Sequence, residues 1–184
     1  MPILIGLVVL VGLLCTLDLI LTVGVIKRLR EQSDELARMG RGPTASLTKG
    51  DEVLAFETAT TEGERLSREQ LADGTAVAFF SPDCPACREK TPAFLEYART
   101  APGGRGRVVA VVVGEPDEAA AYAAELAPVA QVVVEEQGGP MSLAFAVIGF
   151  PAVLQVARDG KGTLVVTTDN LDLDRVGTAT VVPA

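Results

Sequence analysis

Hydrophobic and polar positions divide the chain into three stretches. From Ile3 to Ile26 the residues are Ile, Leu, Val and Gly, interrupted only by Cys15, Thr16, Asp18 and Thr22. A run of that length spans a bilayer with some tilt. No basic n-region or small-residue cleavage site marks it as a cleaved signal, and Leu13 and Leu14 before Cys15 argue against a lipoprotein signal. Residues 1–26 are therefore expected to be an uncleaved transmembrane helix. Asp18 is costly at that depth: it either snorkels or sits protonated in a single span, or it pairs with another membrane protein. Lys27 to Met39 is charged and free of Gly and Pro, which continues the helix until Gly40-Arg41-Gly42-Pro43 stops it. Residues 27–46 thus read as a juxtamembrane helix and linker, and 47–184 as the globular domain.

Within that domain, strand-like and helix-like patterns alternate. Val53 to Thr58 predicts a first strand, followed by a turn at Thr61-Glu62-Gly63-Glu64. Ser67-Arg68-Glu69-Gln70 has the spacing of a capping box and predicts a short helix ending at Asp73-Gly74. Thr75–Phe80 and Val108–Val113 are apolar runs of strand length, expected to be buried on both faces. Helices are predicted over Pro85–Arg99, with Pro92 as a kink, and over Pro116–Leu126. A short strand at Val132–Glu135 and a short helix at Met141–Ala146 follow. Strands Ala152–Ala157 and Gly162–Thr167 flank Arg158-Asp159-Gly160-Lys161, a hairpin signal. Asp172–Thr178 predicts a final helix. The pattern implies an α/β domain with a mixed central sheet and helices on both faces.

Composition then narrows the chemistry. The 184 residues carry a net charge of −8, which argues against a nucleic-acid partner. There is no histidine, so Ser-His-Asp and Cys-His catalysis, haem ligation by His and most catalytic zinc sites are excluded. Of three cysteines, Cys15 lies in the apolar N-terminal run, leaving Cys84 and Cys87 as the one pair within the domain. No second pair exists for a four-thiolate zinc site, and no metal site is expected. In Phe79-Phe80-Ser81-Pro82-Asp83-Cys84-Pro85-Ala86-Cys87-Arg88 a strand ends and a helix begins. Pro85 suits the first helical position because its missing N–H would have no partner there. Cys84 would then face unpaired backbone N–H groups and the positive end of the helix dipole, where a thiolate is favoured. Cys87 lies one turn on, within reach of a disulfide. The stretch reads as a two-electron thiol/disulfide switch.

In these motifs residues 47–178 resemble a thioredoxin-fold domain of the membrane-anchored, extracytoplasmic thiol–disulfide oxidoreductases. That group includes cytochrome-c-maturation reductases and the thioredoxin-like maturation proteins of methylamine dehydrogenase. The resemblance rests on Cys84-Pro85-Ala86-Cys87 at the strand-to-helix junction and Pro92 in the following helix. It rests further on Gly149-Phe150-Pro151 before a strand, where the family has its cis-proline, and on the hairpin at Asp159-Gly160. An additional helix-plus-strand unit between Cys87 and Pro151 fits the membrane-anchored subgroup, and Ser81-Pro82 looks most like the methylamine-dehydrogenase maturation branch. Two departures stand out. Ala78 occupies the place of the buried acid of minimal thioredoxins, and Asp83 sets a negative charge beside Cys84 where many relatives carry an aromatic residue. Arg88 and Lys90 act against that charge if they lie close.

The resemblance implies Cys84 as nucleophile and Cys87 as resolving thiol, with no cofactor beyond their redox-active disulfide. Pro85, Asp83 and Pro151 would support the site, while Phe150 and Gly149 would contact substrate; simple core packing of Phe150 and an ordinary trans Pro151 are the plain alternatives. Expected partners are a protein thiol or disulfide substrate and a membrane electron donor or acceptor. Three other readings stay open: a copper(I) carrier using the same two sulfurs, a redox-responsive interaction module, and a peroxiredoxin-like peroxidase. The last is disfavoured because Ser81 and Val77 stand where a Thr and a Pro would be needed. Membrane side is contested. Lys27, Arg28 and Arg30 directly after the span place the domain in the cytoplasm by the positive-inside rule. The resemblance places it outside, and we favour the outside because single-span anchors with flanking acidic residues depart from that rule.

Overall fold

The computed structural model describes residue 12 and residues 46–173. All of the expected anchor but residue 12, all of the expected 27–46 segment but Ser46, and residues 174–178 of the helix expected at Asp172–Thr178 lie outside the described residues. Among the described residues no helix is long and apolar enough to cross a membrane. The domain contains strands β1 (Glu57–Ala59), β2 (Arg65–Ser67), β3 (Thr75–Phe80), β4 (Val108–Val113), β5 (Gln131–Glu135), β6 (Ala152–Arg158) and β7 (Leu164–Thr168). Its helices are α1 (Pro85–Thr100), α2 (Pro116–Leu126) and α3 (Pro140–Ala144), with 3-10 turns at Arg68–Gln70 and Gly104–Arg107.

Five strands form one sheet in the order β5-β4-β3-β6-β7. β3 pairs in parallel with β4, as β4 does with β5, while β6 runs antiparallel to both β3 and β7. The mixed sheet expected from the sequence is therefore present. All six residues of β3 and all six of β4 are buried, which is why both read as unbroken apolar runs. Their side chains alternate between two layers. Val77, Phe79, Val109 and Val111 meet Met141 and Phe145 from the α3 region, together with Val53, Phe56, Leu66 and Leu71. Ala78, Phe80, Ala110 and Val112 meet Cys87, Phe94 and Ala98 of α1 and Ala119, Ala123 and Leu126 of α2. Helices thus cover both faces. Ring pairs Phe79–Phe145 and Phe80–Phe94, with centroids 5.3 and 5.2 Å apart, fasten one layer each.

The strand expected at Val53–Thr58 does not form as one element; β1 is only Glu57–Ala59, paired with the short β2. Hydrogen bonds of the preceding segment are divided between neighbours: Val53 N donates to Leu164 O and Leu54 N to Ala144 O. Val53 and Phe56 are buried while Leu54 is exposed, a spacing that no single strand face can satisfy. Gln70 Oε1 does accept from Ser67 N at 2.8 Å, but the capped turn is a single 3-10 turn, not a helix reaching Asp73. The last hairpin opens wider than expected because Asp159 Oδ1 accepts from Lys161 N and Thr163 N, delaying β7 to Leu164.

Glu135, at the end of β5, is buried and accepts from Met141 N at 3.0 Å and Ser142 N at 2.7 Å, the first free N–H groups of α3. A Cβ on Gly139 would come within 2.6 Å of that carboxylate, so glycine permits the approach. Replacing Glu135 by Ala strands two buried donors, and we expect it to lower unfolding stability by about 2–3 kcal/mol in urea denaturation. A loss below about 0.5 kcal/mol would show that water satisfies α3 equally well.

Candidate active site

β3 delivers the chain to Phe80, fully buried, and the turn at Ser81-Pro82-Asp83 brings it out to α1. Cys84 is the N-cap of α1, with extended backbone (φ −93°, ψ 109°) and Pro85 in the first turn, so helix geometry starts immediately after the sulfur-bearing residue. Its Sγ takes the capping role usually given to an oxygen, accepting from Cys87 N at 3.1 Å. Cys84 O also accepts from Cys87 N and Arg88 N, at 3.1 and 3.4 Å. Cys84 is half-buried and Cys87 has no exposed surface. Both are free thiols here.

From the other side of the sheet's end, the loop after α3 returns the chain to β6. The Phe150–Pro151 peptide bond is cis. The Phe150 carbonyl lies 3.5 Å from Cys84 Sγ, positioned to accept from the thiol. Phe150 packs against both core layers, and Gly149 and Pro151 beside it are half-buried. The fold therefore brings Cys84, Pro85, Cys87 and Phe150-Pro151 together. Asp83, Arg88 and Lys90 are exposed, and the Arg88 guanidinium donates to Pro82 O at 2.9 Å across the turn, bracing it. Ala78 is buried in the same apolar layer as Cys87, so an apolar side chain fills the place where the resemblance leads one to expect an acid.

Sequence reasoning did not find two further side chains at this site. Thr91, one turn after Cys87, is buried and donates through Oγ1 to Cys87 O at 2.8 Å. Tyr122, from α2, places its hydroxyl in hydrogen-bond contact with Thr91 Oγ1 and 3.5 Å from Cys87 O. A tyrosine in an otherwise alanine-rich helix was the available signal, because a buried phenol needs a polar partner. Among the described residues no group of three or more His, Cys, Asp or Glu side chains is arranged to hold a metal ion.

Burial, with a smaller contribution from the neighbouring Cys84 sulfur, pushes the Cys87 thiol up to about 12. An unfolded chain releases this proton in the ordinary thiol range, near 8.5. Below that range the native preference for the neutral thiol is fully present. As pH rises from there toward 12 the unfolded state loses its proton first, and the stability is lost. The reduced protein is thus expected to lose more stability between about pH 7 and pH 10 than its Cys87→Ala variant, measured as urea midpoints at each pH. Equal losses would mean that the native thiol titrates in the ordinary range.

No protein-family model and no curated protein sequence matches the chain. Solved structures do share its fold. The thioredoxin domain of a thiol–disulfide oxidoreductase from Bacteroides vulgatus is 21% identical, with a TM-score of 0.50 over 66% of this chain and 88% of that one. A thiol:disulfide interchange protein from a Bacteroides species is 18% identical, with a TM-score of 0.52 over 73% of this chain and 94% of its own. At such identities the likeness speaks for the fold: the domain has the thioredoxin fold.

Proposed function

We propose that the chain is a membrane-tethered thiol–disulfide oxidoreductase that exchanges disulfides with protein substrates through Cys84-Pro85-Ala86-Cys87. The observation that carries this reading is the capping geometry: the Cys84 sulfur accepts from Cys87 N at 3.1 Å at the start of α1, with the Phe150 carbonyl 3.5 Å away. The start of α1 and its N–H donor thus lie at the one half-exposed sulfur, which is the one an incoming disulfide can reach. The buried Cys87 stays a thiol until the mixed disulfide forms beside it.

Cys84 S⁻ attacks one sulfur of a substrate disulfide; a Cys84–substrate S–S bond forms and the other substrate sulfur leaves as a thiolate. Cys87 gives up its proton to solvent and attacks Cys84 Sγ. The Cys84–Cys87 bond forms, and the second substrate sulfur leaves and is protonated. The pair has lost two electrons and the substrate disulfide has gained them; the reverse sequence oxidises a dithiol. An extended substrate segment would lie along Gly149 and Phe150 by β-augmentation, with Pro151 keeping that backbone aligned and Asp83 at the rim.

The tether is read from Ile3–Ile26, and the outward-facing domain from the resemblance to extracytoplasmic relatives, the methylamine-dehydrogenase maturation branch among them. Such a domain would need a membrane electron donor or acceptor to restore its pair after each turnover. A copper(I) carrier would require both sulfurs as thiolates, against which the burial of Cys87 works.

Insulin reduction and oxidation of a dithiol peptide test the proposal in both directions. Turnover is expected in at least one of them, falling at least about a hundredfold in Cys84→Ser. In Cys87→Ser a mixed disulfide should accumulate on Cys84 instead. Absence of turnover both ways, or turnover untouched by Cys84→Ser, would refute the assignment and leave a redox-responsive interaction module as the better reading.

A further inference from the structure

Resting on that exchange chemistry, a second inference concerns how the buried thiol is aimed. We infer that the Tyr122 phenol, acting through the Thr91 hydroxyl, is a positioning group for the resolving thiol of Cys87.

Proton bookkeeping fixes the direction of the chain of bonds. The Cys87 carbonyl can only accept, and Thr91 Oγ1 approaches it at 2.8 Å. A threonine hydroxyl has one proton, and here it is committed to that carbonyl. Because Thr91 approaches the carbonyl more closely than the phenol does (2.8 against 3.5 Å), we assign the phenol as the donor to Thr91 Oγ1. The order is Tyr122 O–H to Thr91 Oγ1 to Cys87 O, with the phenol itself 3.5 Å from the same carbonyl. Burial, the leading cause, raises the Tyr122 pKa, which keeps the phenol a donor throughout the neutral range.

Location gives the bonds their effect. Thr91 immediately precedes Pro92, whose missing N–H removes one rung of the α1 ladder at this turn. The first turn, which carries Cys87, is thereby less firmly tied to the rest of its own helix. Two hydroxyls, one from α1 and one from α2, converge on the carbonyl of Cys87 at that weak point. On the sheet side Ala78, Phe80 and other apolar residues share the layer of Cys87. Tyr122 is itself held by its edge-on contact with Phe80, the last residue of β3, at 5.9 Å between centroids. The brace therefore links the end of β3, helix α2 and the residue that must attack the mixed disulfide. Attack on a disulfide is directional, and small misplacement of the nucleophile slows it. Cys84, at the cap before the first turn, does not lean on this brace. The two steps of exchange should respond differently to its removal.

The test follows those steps separately with the chromogenic aryl disulfide DTNB at one equivalent, on the reduced full-length protein in a Cys15→Ala background. Attack by Cys84 releases one aryl thiolate and forms the mixed disulfide. Attack by Cys87 releases the second, with loss of the Cys87 proton and formation of the Cys84–Cys87 bond. In Tyr122→Phe and Thr91→Val the first release is expected to stay within about twofold of the parent. The second should slow by about three- to tenfold. Thr91→Ser, which restores the hydroxyl, should recover it. A second release unchanged in both Tyr122→Phe and Thr91→Val overturns the inference, as does equal slowing of both steps. Should one variant fail to fold, the other decides. If the parent protein releases only its first equivalent, the oxidoreductase reading itself fails, a result distinct from an unaffected second step.

Discussion

A backbone N–H of Cys87 donating to the sulfur of Cys84 requires three things at once. The chain must leave a buried strand, cap a helix with a sulfur and begin that helix without delay. Each element of the domain contributes to one of them. β3 is the central strand of the sheet, paired on one side with β4 and on the other with β6. Its end is consequently a fixed point. Arg88 folds back on Pro82 to brace the turn, and Pro85 commits α1 to helical dihedrals in its first turn. The same bond makes the two sulfurs unequal. One is half-exposed and capped by an N–H, whereas the other is sealed against Ala78 and Phe80.

That inequality suits the two-step exchange proposed for the pair. A nucleophile must be accessible, while a resolving thiol should react only with what is already attached to its neighbour. Burial achieves the second condition without a dedicated acid, which this chain lacks at Ala78. The apolar layer therefore does two jobs. It stabilises the sheet–helix packing and it keeps Cys87 protonated. The cis Phe150–Pro151 junction closes the site from the opposite strand, and Phe150, in contact with both core layers, couples it to the whole domain.

Much of this was legible in the sequence where local and tertiary demands agree. Thr75–Phe80, Val108–Val113 and Pro116–Leu126 begin and end where their patterns do, because central strands are apolar throughout and α2 opens on a proline. The Cys84–Cys87 junction was legible for the same reason: proline, cysteine spacing and a strand ending all mark one point. Legibility fails where hydrogen bonds are shared among several partners. Residues 52–56 divide theirs between β7 and α3, so their apolar content suggested a strand that does not form. β2, of three residues, is hidden within the capping signal at Ser67. The brace from Tyr122 to Thr91 joins side chains from two helices that only the folded sheet brings together, and neither helix's periodicity hints at it. Asp83 is exposed at the turn that precedes Cys84.

The central claim is that Cys84 and Cys87 form one reversible redox couple. A glutathione redox titration of the purified protein, quenched by alkylation and followed by mass of the peptides carrying each cysteine, tests it most directly. The account expects a single two-electron transition in which both thiols disappear together into an intramolecular disulfide, reappear together on reduction, and lose this linkage in Cys84→Ser. Two thiols that remain independently alkylated at every poise, or that pair only with glutathione, would contradict it.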